Sequence, residues 1–247
     1  MSKVLLFGIA TLILSGLAST GTFDRVSIIK DLGQKIRFNA VEVAPEPKPT
    51  VASATTAAAP APANPYPVHD QITTTVFWVG EEASAANGYI SNTQSAWDSS
   101  WLEHFGDPQN PKENPFYVAL PYNDLDDLGV RRENAQDVVY WGHEKNWSKN
   151  ESMVKNRWVK ISKNNLMAYA QWEDAGPFVY DDDNYVFGTS RPQNRENSDA
   201  GLDVSPAVRD YLGLRDIDQV SWQFIDASYV PNGPWKEIIT TSQISFD

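Results

Sequence analysis

The chain contains no cysteine. That excludes disulfides, thiolate metal sites, a cysteine nucleophile and a lipid-modified N-terminal cysteine. Histidine is scarce as well. His69, His104 and His143 stand apart, without the His-x-x-x-His or Glu pairing of a zinc site, and read as surface or capping residues. Positive charge is in deficit: the net charge of -12 argues against nucleic acid or an anionic lipid surface as the main partner. No internal repeat is visible, which removes solenoids and propellers. Ser95 and Ser205 have no neighbouring His or Gly-rich elbow, so a serine nucleophile is not indicated. The acidic run Asp181 to Tyr185 lacks the spacing of a calcium loop and reads as a solvated turn. No metal site and no cofactor motif emerge.

Aromatic residues are plentiful. Nine Trp and ten Tyr serve either as strand and core residues or as flat platforms for sugar rings, and the first use is the more economical. At the N-terminus, Lys3 precedes an apolar run, Val4 to Ala18, that ends in small residues. This resembles a secretory signal over residues 1–18, or an anchor if uncleaved, and implies a periplasmic or secreted protein. A short polar segment, 19–43, leads to a Pro/Ala/Thr-rich stretch, 44–67, expected to be a disordered spacer.

The folded domain is expected from about Ile72 to the C-terminus. Ile72 to Gly80, Phe116 to Tyr122, "RWVKIS", "LMAYAQWE", "VSWQFID" and "EIITTSQISF" read as strands, the third and fourth as a hairpin across "KNN". Trp97, Trp101 and Phe105 share a helical spacing. In "DVSPAVRDYLGL", Ser205 is placed to cap a helix, Pro206 to open it and Gly213 to end it. Residues 123–155 and 179–199 read as insertions. Many short strands with one clear helix indicate a mainly β fold, a closed or nearly closed barrel.

One strand carries the chemistry. "YAQWEDAGPF", Tyr169 to Phe178, ends in two carboxylates before a rigid turn. Simple alternation puts Trp172 and Asp174 on the inner row and turns Glu173 outward, towards water. A carboxyl beside an indole at a barrel mouth is partly desolvated, which raises its pKa and suits an acid catalyst. The alternative is that Asp174 only accepts backbone bonds in the turn.

"AQWEDAGPF", then "AGLDVSPAVRDYLGL" and "VSWQF", resemble the double-psi β-barrel of the rare lipoprotein A and expansin-like group. Asp174, Gly176, Pro177 and Phe178 match that group's Asp-Arg-Gly-Pro-Phe, with Ala175 in place of Arg. Asp203, Val204 and Ser205 match its Asp-Leu-Ser, and Leu120-Pro121 its Leu-Pro turn. The resemblance implies a six-stranded barrel with a polysaccharide-facing groove and Asp174 as acid in a lytic-transglycosylase-like reaction. Asp203 is the candidate second carboxylate, with helix capping as its other use. Tyr117, Tyr122, Trp78, Trp172 and Glu173 are the candidate substrate contacts. Tyr117 stands where rare lipoprotein A carries a His, and the lipid-anchor cysteine is missing. Both departures leave room for a non-catalytic, expansin-like binding module. The expected partner is cell-wall polysaccharide, met by a monomer.

Overall fold

The computed structural model describes residues 64–106 and 113–242. The apolar N-terminal run, the polar segment and most of the Pro/Ala/Thr-rich stretch lie outside the described residues. No helix among the described residues is long and apolar enough to cross a membrane.

Six strands close into a barrel: β1 (His69–Val76), β2 (Tyr117–Leu120), β3 (Trp158–Lys163), β4 (Leu166–Ala175), β5 (Leu202–Val204) and β6 (Ile217–Phe224). The order around it is β1-β5-β2-β4-β3-β6, with β1/β5 and β2/β4 parallel and the other neighbours antiparallel. Closure leaves no free edge. β3 and β4 form the expected hairpin, turning at Asn164 and Asn165, where Asn164 takes a positive φ that Asn tolerates.

Four short α-helices decorate the barrel: α1 (Trp101–Phe105), α2 (Ala135–Val138), α3 (Asp183–Val186) and α4 (Pro206–Leu212). α4 forms as its sequence dictates. The Ser205 side chain accepts from the Val208 amide, Pro206 opens the first turn, and Gly213 closes it in the left-handed region at φ 64°.

Aromatic rings fill the barrel. Trp172 stacks on Phe224 at 5.8 Å and Phe187 stacks on Phe224 at 5.7 Å. Trp141, from the 123–155 segment, meets Phe224 edge-on at 5.1 Å. The two segments read as insertions are therefore part of the core, because Leu125, Val139, Trp141, Tyr185, Val186 and Phe187 are all buried in it. Seven of the nine Trp are buried, in line with the core reading of the aromatic surplus.

Several expectations need correction. The fold begins before Ile72: Asn64 donates to the Phe224 carbonyl and Tyr66 to Asp226, so residues 64–67 are fastened to the barrel. His69 is a core residue, 5% exposed and stacked on Trp222 at 4.0 Å, with burial pushing its pKa down to about 4. The helical face built on Trp97 is shorter than its spacing suggests. Trp97 precedes α1 in a turn where the Ser95 hydroxyl accepts from the Trp97 and Asp98 amides. Residues 237–242 form no strand. Thr240 there exchanges bonds with the Gln171 side chain, accepting from it and donating its amide to it at 2.9 Å each. A β-branched run has satisfied its backbone through a buried amide side chain instead of a ladder.

Candidate functional site

The site begins with a register fault between β2 and β4. Val118 pairs with Trp172, but Ala119 pairs with Asp174, so Glu173 is the extra residue of a bulge. Directly paired residues share a face. Trp172 therefore lies with Val118 in the interior, while Asp174 lies with Ala119 on the opposite face. Alternation alone put Asp174 and Trp172 together; the bulge separates them.

The register continues across the sheet. Ala119 also pairs with Asp203, and Asp203 pairs with Thr75. Asp174, Ala119, Asp203 and Thr75 thus form one row across β4, β2, β5 and β1, two carboxylates flanking a methyl-sized floor. Strand spacing puts the two aspartate backbones ~10 Å apart, near enough for their side chains to converge. Past the row, Gly176 adopts φ 147°, a region open to glycine. A Cβ there would lie 3.9 Å from both the Ala119 methyl and an Asp203 carboxylate oxygen.

Asp174 is 9% exposed. Its Oδ1 accepts from the amides of Ala96 at 2.7 Å and Ala175 at 2.8 Å, which leaves Oδ2 for the groove. Burial pushes its pKa up from 3.8 to about 7. The two amides oppose the rise and the neighbouring Asp203 charge adds to it. Asp203, half-buried, accepts from the Thr75 hydroxyl. Its pKa also rises to about 7, again through burial. Asp203 does not cap α4; Ser205 does.

The row opens into a cavity of about 880 Å³, walled by Trp78, Ile90, Asn92, Phe178, Tyr180 and Arg132 among others. Trp78 is 47% exposed and presents its ring. Asp174 and Asp203 both raise the Tyr180 phenol pKa, secondary to burial, which marks how near that ring stands to them.

Of the other candidate contacts, none reaches the groove. Trp172 is fully buried and donates its indole N–H to the Asp174 carbonyl at 2.8 Å, fixing the strand end from inside. Tyr122 packs edge-on against Phe187 in the core. Tyr117 belongs to a second cluster beneath α1, with Phe77 and Trp101, and its hydroxyl accepts from the Val79 amide at 3.1 Å. It holds the β1 exit in place. Glu173 faces no water: it is 1% exposed, with Lys155 Nζ 3.0 Å from its Oε2.

The groove wall was legible only in part. Asn92 and Tyr180 sit in irregular segments with no periodicity to reveal them: Asn92 donates its side-chain amide to Glu81 at 2.8 Å, and the Tyr180 carbonyl accepts from the Asn123 amide at 2.8 Å.

Protonation of this site couples to folding. Between about 4 and 7 the folded protein holds protons on Asp174 and Asp203 that the unfolded chain, near 3.8, has released. Stability should therefore be greatest below that window and fall as pH rises through 7. Asp174→Asn should flatten this slope, gaining relative to wild type at pH 8 but not at pH 4. Urea midpoints at the two pH values check it; an unchanged slope would show that Asp174 ionises freely.

No family model matches the sequence, and no curated protein matches it. Among solved structures, a Streptomyces papain inhibitor aligns with a TM-score of 0.28 and 12% identity, over 66% of this chain and 99% of that one. The class supported by the structure is a mainly β protein with a closed six-stranded barrel.

Proposed function

We propose that the protein is an exported cell-envelope protein that binds polysaccharide in this groove, peptidoglycan or a related glycan, and cleaves it with Asp174 as the acid. The observation that carries the reading is the row of Asp174, Ala119 and Asp203 at the base of an open cavity beside the exposed ring of Trp78. The two parallel strand pairs, β1/β5 and β2/β4, support assigning the barrel to the double-psi type. Export rests on the apolar N-terminal run.

A carboxyl with a pKa of about 7 is about half-protonated at neutral pH and can both give a proton and take one back. Asp174 protonates the glycosidic oxygen as the bond to the sugar's anomeric carbon breaks. The resulting carboxylate then accepts the proton of the sugar's own hydroxyl, whose oxygen bonds the anomeric carbon and closes an anhydro ring. No water is consumed. Asp203, when ionised, stabilises the positive charge that develops on the ring.

A second reading, a non-catalytic binding module, draws on Trp78, whose ring offers a stacking face without any chemistry. Trp78→Ala should weaken sedimentation with insoluble peptidoglycan about tenfold, the scale of one lost aromatic contact, and leave the urea midpoint nearly unchanged. Product analysis separates the readings. Anhydro-muropeptides released by the wild type support cleavage; retained sedimentation without products supports binding alone; neither result would reject both.

A further inference from the structure

The geometry points to a divalent transition-metal site formed by Asp98, His104 and Glu113, none of which lines the groove. One ligand atom from each of the three side chains lies within 4.8 Å of the other two. Tetrahedral coordination of Zn²⁺ at about 2.0–2.2 Å needs ligand atoms ~3.3 Å apart, so small rotamer changes suffice. His104 Nδ1 and Asp98 Oδ2, at 2.6 Å, have only to open around the ion.

Both carboxylate ligands are positioned by the fold. The Asp98 amide donates to Ser95, and Asp98 Oδ1 accepts from the Ser100 amide at 2.9 Å. Glu113, 4% exposed, accepts from Thr240 at 3.1 Å and Ser242 at 3.2 Å.

A second observation comes from Glu173. This carboxyl is 1% exposed and neither of its oxygens accepts a well-formed hydrogen bond; Lys155 approaches only Oε2. Lys155 also lies 3.1 Å from the Ser242 hydroxyl that donates to Glu113, so Glu173 and Glu113 flank the same lysine. Three carboxylates are gathered here in a largely dry setting with one lysine. A divalent ion would supply the missing positive charge, and a water in its fourth position would give Glu173 the donor it lacks.

The site would also brace the groove. The turn that ends at Asp98 carries the Ala96 amide that holds Asp174. The ion fixes one end of this turn and Asp174 meets its middle.

The inference stands apart from the glycan reading and is tested without it. Metal-stripped full-length protein is titrated with Zn²⁺ by calorimetry, and bound metal is counted after desalting. One equivalent is expected, with a rise in thermal midpoint. His104→Gln and Glu113→Gln should each weaken binding at least tenfold, whereas His143→Ala, at an exposed site, should not. Near-UV circular dichroism confirms that each variant is folded. Asp174→Asn should still take up the ion, which separates this site from the groove chemistry. No stoichiometric uptake by the wild type, or equal uptake by folded His104→Gln and Glu113→Gln, would overturn the proposal.

Discussion

Asp174→Asn should lower the release of anhydro-muropeptides by at least about a hundredfold, the usual contribution of a positioned general acid being 10²–10⁴. Asparagine keeps the oxygen that accepts from Ala96 and Ala175, so the turn should survive. What it lacks is the acidic proton on the groove side. Asp203→Asn should cost less, because in the proposed reaction Asp203 contributes charge and transfers no proton. Binding to insoluble peptidoglycan should persist in both variants, since the ring of Trp78 and the groove walls are untouched. Equal losses of binding and of product would indicate a collapsed groove instead of a missing acid.

The second large effect concerns stability. Lys155 and Glu173 are each 1% exposed at their side chains and lie 3.0 Å apart. Lys155 also donates to the Ser242 carbonyl at 2.9 Å and hydroxyl at 3.1 Å, tying the C-terminal segment to β4. Burial pushes the Glu173 pKa up to about 8 against the pull of Lys155, so the pair gains little net energy, but removing one partner leaves the other buried without its contact. Lys155→Met should therefore cost roughly 3–5 kcal/mol in urea unfolding. The double variant Lys155→Met/Glu173→Gln should recover part of that loss, because the carboxyl left without its partner has gone. A double-mutant cycle measures the coupling directly. Independent, additive losses would mean that the two side chains do not depend on each other.

The bulge that makes Glu173 a buried partner also explains the main limit of reading this chain from its sequence. Alternation along one strand is visible in the sequence, and it located β2, β3, β4 and β6 along with the Asn164–Asn165 turn. A bulge belongs to the pairing of two strands, β2 with β4, and no single segment announces it. Its effect was to turn Asp174 away from the face of Trp172, to leave Glu173 buried where alternation expected water, and to bring Asp174 into register with Asp203 through Ala119. β5, at three residues, is too short for any periodicity to register. The C-terminal run failed in the opposite direction: its β-branched residues favour extension, but Gln171 took the hydrogen bonds that a neighbouring strand would have made.

Local capping chemistry was legible because it acts over three or four residues. Ser205, Pro206 and Gly213 do what their positions demand. The trio Asp98, His104 and Glu113 spans an irregular turn, a five-residue helix and the loop beyond it, so no local spacing could have joined them. The aromatic contacts divide the same way. Trp78 follows β1 and projects from its end, while Tyr122 and Trp172 are drawn into a core that the 123–155 and 179–199 segments complete.

The central proposal is that Asp174 is an acid that works without water. The direct measurement is digestion of purified peptidoglycan in heavy-oxygen water, with mass spectrometry of the new sugar ends. Anhydro ends free of heavy oxygen are expected from the wild type, and almost none from Asp174→Asn. Heavy oxygen in the new ends, products undiminished in Asp174→Asn, or no products from the wild type would contradict the proposal.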